Sequence, residues 1–253
     1  MSDTNDHPAD MPIGDLFFQT ARFPTAARPL MGMTVLVVED SRYTSDAVRL
    51  MCLRSGARIR RADSLAAAAR HLQVYHPTVV LVDIGLPDGN GLDLIATLSE
   101  HSQRIEVILA TSGDEWAEQA ALAAGADGFL SKPVSSLAAF QEQVLRQLPA
   151  ARRPMDPRMV NDAAIHPDPA SYTEDLLHAA SILAQHPNGA ELDYVCQFLK
   201  GLCRSAGDNE LQGLVQRLNV ARLRPKGPKR ALAALRNLLA ARIANPDLLE
   251  QRI

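Results

Sequence analysis

Asp83 stands directly after the apolar run Thr78-Val79-Val80-Leu81-Val82, and Glu39-Asp40 directly after Thr34-Val35-Leu36-Val37-Val38. Thr111 with Ser112 follows the run 105–110, and Lys132-Pro133 follows the short run 128–131. Runs this apolar and β-branched, bounded by turn formers such as Leu86-Pro87-Asp88-Gly89-Asn90-Gly91, read as strands buried on both faces. In a parallel sheet their carboxyl ends share one edge, the edge where open α/β folds bind ligands. Three carboxylates, a hydroxyl and an ammonium would then converge. Carboxylates brought together repel unless a proton or a cation compensates, and a hard divalent cation with a preference for oxygen, Mg²⁺, is the natural compensator. Lys132 adds a point charge for an incoming anion. The set reads as a phosphoryl acceptor, a carboxylate nucleophile beside a metal. Taken singly, Asp83 is equally a loop cap, Thr111 a strand-end hydroxyl and Lys132 a solvated charge.

The elements that must position these residues follow from periodicity. The spacing predicts helices over 41–56, 64–74, 91–100, 115–124 and 135–148, with Ser64 as an N-cap and Gly56 and Gly125 as C-terminal stops. The predicted strands are 34–38, 57–61, 78–82, 105–110 and 128–131. Five strands alternating with five helices predict an α/β fold, a flavodoxin-like doubly wound five-stranded parallel sheet.

Val35 to Asp40, Asp83 with Leu86-Pro87, Gly91, Thr111, Gly125-Ala126-Asp127 and Lys132-Pro133 together resemble the receiver domain of two-component response regulators over residues 33–148. The resemblance implies roles residue by residue. Asp83 matches the phosphoacceptor. Asp40 matches a direct Mg²⁺ ligand, Glu39 one acting through water, and the Gly85 carbonyl a further ligand. Thr111 and Lys132 match the groups that stabilise the phosphoryl oxygens, and Thr111 also the moving hydroxyl of the switch. Phe129 falls at the family's rotating aromatic position, although plain core packing explains it as well. Pro133 implies a cis Lys132-Pro133 peptide. Two positions depart from the family pattern: Gly85 and Gly113 lack the larger side chains usual there, which implies an altered phosphoryl lifetime.

The flanks differ in character. Residues 1–32 carry four prolines and little periodicity, so they predict a flexible extension. Residues 149–170 predict a Pro-rich connector, and residues 171–253 a second, all-α domain, a four-helix bundle with Ser171 as its first N-cap. Within the bundle, Gln197-Phe198-Leu199-Lys200-Gly201 resembles the H-x-L-K-G motif of histidine-containing phosphotransfer domains. Gln197 stands where that motif has its histidine and offers no nucleophilic nitrogen, so the resemblance implies a degenerate phosphotransfer position. His178 and His186 read as structural or solvent-facing.

Charge divides unevenly. Residues 1–148 carry 12 Lys and Arg against 18 Asp and Glu, whereas residues 149–253 carry 14 against 11. The run Arg217, Arg222, Arg224, Lys226, Lys229, Arg230, Arg236 and Arg242 makes DNA the alternative partner, a transcriptional output using basic helices. No tight turn leads into a recognition helix, and a solvated basic face fits the pattern better. Cys52, Cys196 and Cys203 have no metal-type spacing and read as reduced buried side chains. No apolar stretch is long enough for a signal-peptide core or a membrane span. The expectation is therefore a cytoplasmic phosphorelay response regulator with no membrane partner, no enzyme beyond its own Mg²⁺-dependent phosphorylation and dephosphorylation. A sensor histidine kinase or histidine phosphotransfer protein would supply the phosphoryl group, and the helical half would address a downstream protein or form a homodimer.

Overall fold

A computed structural model describes residues 23–114, 116–155, 164–187, 189–224 and 227–245. Of the predicted features, the extension up to residue 22, the middle of the connector (156–163) and Lys226 lie outside the described residues.

The first half is an α/β unit. Its strands β1 (Thr34–Val38), β2 (Arg58–Ala62), β3 (Val79–Asp83), β4 (Val107–Ser112) and β5 (Gly128–Ser131) form one parallel sheet in the order β2-β1-β3-β4-β5. Side chains alternate across a strand, and the two faces have separate cores. Val35, Val37, Val79, Leu81, Val107 and Leu109 pack with Val48, Met51 and Cys52 of α1 (Arg42–Ser55) and with Phe140 and Val144 of α5 (Leu137–Gln147). Leu36, Val38, Val80, Val82, Ile108 and Ala110 face α2 (Leu65–Val74), α3 (Gly91–Glu100) and α4 (Ala117–Ala123).

Local chemistry sets the boundaries. Ser41, Ser64, Asn90 and Ser136 each accept a hydrogen bond from a first-turn N–H of the helix they start, which satisfies a donor that has no partner within the helix. Gly56, at φ 83°, closes α1 in a left-handed turn. A short antiparallel pairing of Gly85–Leu86 with Gly89–Asn90 shapes the loop after β3, a feature the sequence reading did not foresee.

Two expectations about the flanks need correction. Residues 23–32 are not all loose: Leu30 is fully buried and, with Met33, belongs to the first core. The connector also contributes to that core through Ile165, while Ala164 bridges to Ser136 and Arg152 pairs with Glu106 at 2.5 Å. Apolar side chains within these Pro-rich stretches find the edge of the sheet's core.

The second half is four helices, α6 (Pro169–Ala184), α7 (Gly189–Ala206), α8 (Asn209–Arg222) and α9 (Lys229–Ala244), each packed on two neighbours in a closed ring. Helix α6 starts before the predicted Ser171, because Asp168 caps it by accepting from Ala170 N and Pro169 suits the first turn. Tyr172, Leu176, Leu199, Leu202, Leu211, Val215, Leu235 and Leu239 fill the ring. Tyr43 of α1 joins this second core, its ring meeting Tyr172 edge-on at 5.6 Å. The two halves are therefore packed together. No described helix is long and apolar enough to cross a membrane.

Candidate functional site

Strand β1 delivers Glu39 and Asp40 at the sheet edge, β3 delivers Asp83, β4 Thr111, and the residues after β5 deliver Lys132. Glu39, Asp83, Thr111 and Lys132 are all buried. Glu39, Asp40 and Asp83 each present an oxygen within 4.8 Å of the others. The Lys132 ammonium lies 2.9 Å from Asp83 Oδ2 and 2.8 Å from Glu39 Oε2. The Lys132-Pro133 peptide is cis. The backbone comes close beneath the site: a β-carbon on Gly91 would collide with the Asp83 carbonyl oxygen, which is why the first residue of α3 is glycine.

Electrostatics follow from burial and crowding. Burial, with Asp83 and Asp40 adding repulsion against the pull of Lys132, holds Glu39 well above the usual carboxylate range. Burial and the Asp83 charge push Asp40 up to about 7, while Lys132 and a hydrogen bond from Tyr194 pull it down. Burial alone would depress Lys132, yet Asp83 and Glu39 outweigh it and raise its pKa. One ammonium among three carboxylates leaves the cluster under-compensated. Glu39 Oε2 is also buried without a well-directed hydrogen-bond donor. A hard divalent cation fits this donor set, all oxygen and net negative. Glu39, Asp40, Asp83 and the Gly85 carbonyl are the groups that would hold it.

The sequence-predicted residues divide by position. Thr111 pairs in register with Asp83, but its hydroxyl donates to the Leu130 carbonyl at 2.8 Å. Phe129 is half-buried against the second-face core. Asp127, from the Gly-Ala-Asp motif, supports β4 from outside the site, accepting from Ile108 N at 2.8 Å and pairing with Arg104 at 2.7 Å.

The helical half supplies residues that sequence reasoning missed. Tyr194 of α7 donates to Asp40 Oδ2 at 2.7 Å. Asp175 of α6, only 2% exposed, accepts from Ser41 Oγ at 2.8 Å, Arg42 N at 2.9 Å and Tyr43 N at 3.0 Å, so a residue of the bundle caps the first helix of the sheet domain. A signal for it existed: Asp175 shares the apolar stripe of Tyr172, Leu176, Ala179 and Leu183, where a lone carboxylate needs a partner. Gln197 sits over Gly85, and a β-carbon there would lie inside the Gln197 side-chain amide. Between the halves is a cleft of about 360 Å³ lined by Asp40, Asp83, Lys132, Gln197, Lys200 and Gly201, among others.

The basic run is partly consumed by structure. Arg242 is buried and paired with Asp208 and Glu210, Arg222 pairs with Asp193 at 2.5 Å, and Arg236 donates to the Leu183 carbonyl. Arg217, Arg224, Lys229 and Arg230 are exposed. His178 packs edge-on against Phe198 and lies 3.3 Å from the Tyr194 hydroxyl, a supporting position beside the site.

A strand order of 2-1-3-4-5 with acidic ends on β1 and β3 and a lysine after β5 defines the class, and sequence comparison agrees. Residues 35–143 match the family model of the response regulator receiver domain, and this half of the chain is a receiver domain of the two-component kind. The KDP operon transcriptional regulatory protein KdpE of Escherichia coli K12 is 34% identical over 122 residues, covering 47% of this chain and 54% of KdpE. The chain thus spans about half the length of the curated relatives it matches. Among solved structures, chemotaxis protein CheY4 of Vibrio cholerae aligns at 24% identity and a TM-score of 0.43, over 46% of this chain and 98% of that one. The receiver domain of sensor histidine kinase PA1611 from Pseudomonas aeruginosa PAO1, described with a magnesium ion coordinated in its active-site cleft, aligns at 23% identity and a TM-score of 0.41, over 46% and 97%.

Proposed function

We propose that the protein is a phosphorelay response regulator that accepts a phosphoryl group on Asp83 and passes the signal through its helical half to a protein partner. The observation that carries this reading is the placement of three buried carboxylates and one ammonium at the carboxyl edge of the sheet, Lys132 Nζ being 2.9 Å from Asp83 Oδ2. Bound Mg²⁺ would neutralise the carboxylates and a phosphoryl group's oxygens. Asp83 is the nucleophile, because it alone of the three carboxylates both meets Lys132 and pairs in register with Thr111. Lys132 stays charged and meets the developing negative charge on the transferred group. Thr111 gives up the Leu130 carbonyl to reach a phosphoryl oxygen, which couples the site to β5 and Phe129.

The donor would be a phosphorylated histidine of a sensor kinase or phosphotransfer protein. The chain itself acts as phosphoacceptor and not as an enzyme with a separate substrate. The alternative, a DNA-contacting transcriptional output, draws on the relatives' names and on the four exposed cations Arg217, Arg224, Lys229 and Arg230. It has less support, since Arg222, Arg236 and Arg242 are spent on contacts within the bundle. Incubation with ³²P-acetyl phosphate and Mg²⁺ tests the phosphoacceptor: wild type takes up label and Asp83→Asn takes up at least tenfold less. Equal labelling of the two would overturn the assignment.

A further inference from the structure

Helix α7 lies across the mouth of the site with its backbone close to the reacting groups. A β-carbon on Gly201 would come within 4.0 Å of Lys132 Nζ, and one on Gly113 would meet Gly201 Cα at 3.8 Å and Arg204 Cδ at 3.6 Å. At Gly85 the space of a side chain is filled by Gln197. The two receiver positions that lack the side chains usual in the family are thus the two over which α7 passes. Tyr194, three residues before Gln197, fixes the register by its hydrogen bond to Asp40, and Asp175 holds α6 on the start of α1. Any protein donor must bring a phosphorylated nitrogen in line with an Asp83 oxygen, and the α7 side chain that reaches over Gly85 into the cleft lined by Asp83 is Gln197. The remaining cleft, about 360 Å³, admits a small phosphorylated molecule and leaves no room for a second helix.

We propose that α7 is a tethered stand-in for a protein phosphodonor, seated on the receiver with Gln197 in the place of the donor histidine. Small phosphorylated compounds reach Asp83 through the cleft, while a protein donor has to displace α7. This rests on the reading of Asp83 as phosphoacceptor. The Gln197 carboxamide nitrogen, its lone pair delocalised, cannot take the phosphoryl group, so the stand-in is inert and the docked state is not consumed.

Restoring a nucleophile tests the placement. In full-length Q197H loaded with ³²P-acetyl phosphate and Mg²⁺, the installed imidazole attacks the phosphorus of the Asp83 acyl phosphate. A nitrogen–phosphorus bond forms as the acyl oxygen–phosphorus bond breaks, the carboxylate leaves with the bonding pair, and the other ring nitrogen releases its proton to solvent. Label stable to alkali, as phosphohistidine is and an acyl phosphate is not, is expected at least tenfold above wild type. It should be absent from D83N/Q197H, and its fraction should not change with protein concentration. Alkali-labile label alone in Q197H would overturn the stand-in while leaving Asp83 as phosphoacceptor, and a fraction that rises with concentration would overturn its action within one chain. Absence of any label in wild type would remove the phosphoacceptor reading and this proposal with it. A far-ultraviolet circular dichroism spectrum and a urea midpoint matching wild type show that Q197H is folded.

Discussion

At the strand ends of the receiver, Lys132 faces Glu39, Asp40 and Asp83; inside the bundle, Arg242 faces Asp208 and Glu210, and Tyr172 donates to the same Asp208 at 3.0 Å. Both clusters join carboxylates to one buried cation, and Arg242 and Lys132 are each 6% exposed. Their surroundings separate them. Asp208 spends its oxygens on Arg242, Tyr172 and the N–H of Leu211 at the start of α8, and Glu210 is largely open to water. The receiver cluster borders a cleft and carries two more carboxylates than ammonium groups, against one more carboxylate than guanidinium groups in the bundle. A polar network closed in by its own packing holds a fold together, whereas a more strongly acidic one beside open space is poised to take in a further ion or group.

The contrast yields a ranked set of substitutions. Arg242→Ala removes the cation from the enclosed cluster and leaves the buried Asp208 charge without its counter-ion, so a loss of about 3 kcal/mol is expected, read from urea unfolding. A loss below about 1 kcal/mol would mean that Arg242 is only a surface charge, and the comparison would break. Asp175→Ala is next: it takes the acceptor from three donors at the start of α1, costing about 2 kcal/mol. Faster amide exchange at Arg42 and Tyr43 is the direct readout, and unchanged protection there would show that α6 does not cap α1. The smallest effect belongs to Tyr194→Phe, which deletes one hydrogen bond to Asp40 and leaves the ring packed near Phe198 and His178. About 1 kcal/mol is expected, as a small shift of the same urea midpoint. A shift as large as that of Arg242→Ala would place the main inter-domain anchor at Tyr194.

Much of the receiver was legible because its signals are local. β-Branched runs fix strands buried on both faces, small polar caps fix helix starts, and the residue after each run is carried to the sheet edge by the parallel topology itself. That logic puts Asp83, Glu39, Asp40, Thr111 and Lys132 at the carboxyl edge of the sheet, where the structure has them. The bundle's share of the site was not legible, because periodicity tells which face of a helix is buried and not what it is buried against. Asp175 and Tyr194 find their partners 132 and 154 residues away. Gly85 and Gly113 looked like departures that alter the phosphoryl lifetime, and only the position of α7 shows what fills the space. Arg242, read within a basic run as a surface charge, is buried because the stripe of Leu235 and Leu239 turns it inward.

Ile165 has a consequence in terms of effective concentration. Anchored in the receiver's core, it leaves only the few residues before Pro169 as the leash of the bundle, and Asp168 N is itself held by Asp46 of α1. A leash that short keeps a domain at an effective concentration on the order of millimolar or above over its own docking surface. A soluble donor protein competes with that figure multiplied by the intrinsic affinity of α6 and α7 for the receiver. Its own concentration divided by its Kd must match this product before half of the chains open to it.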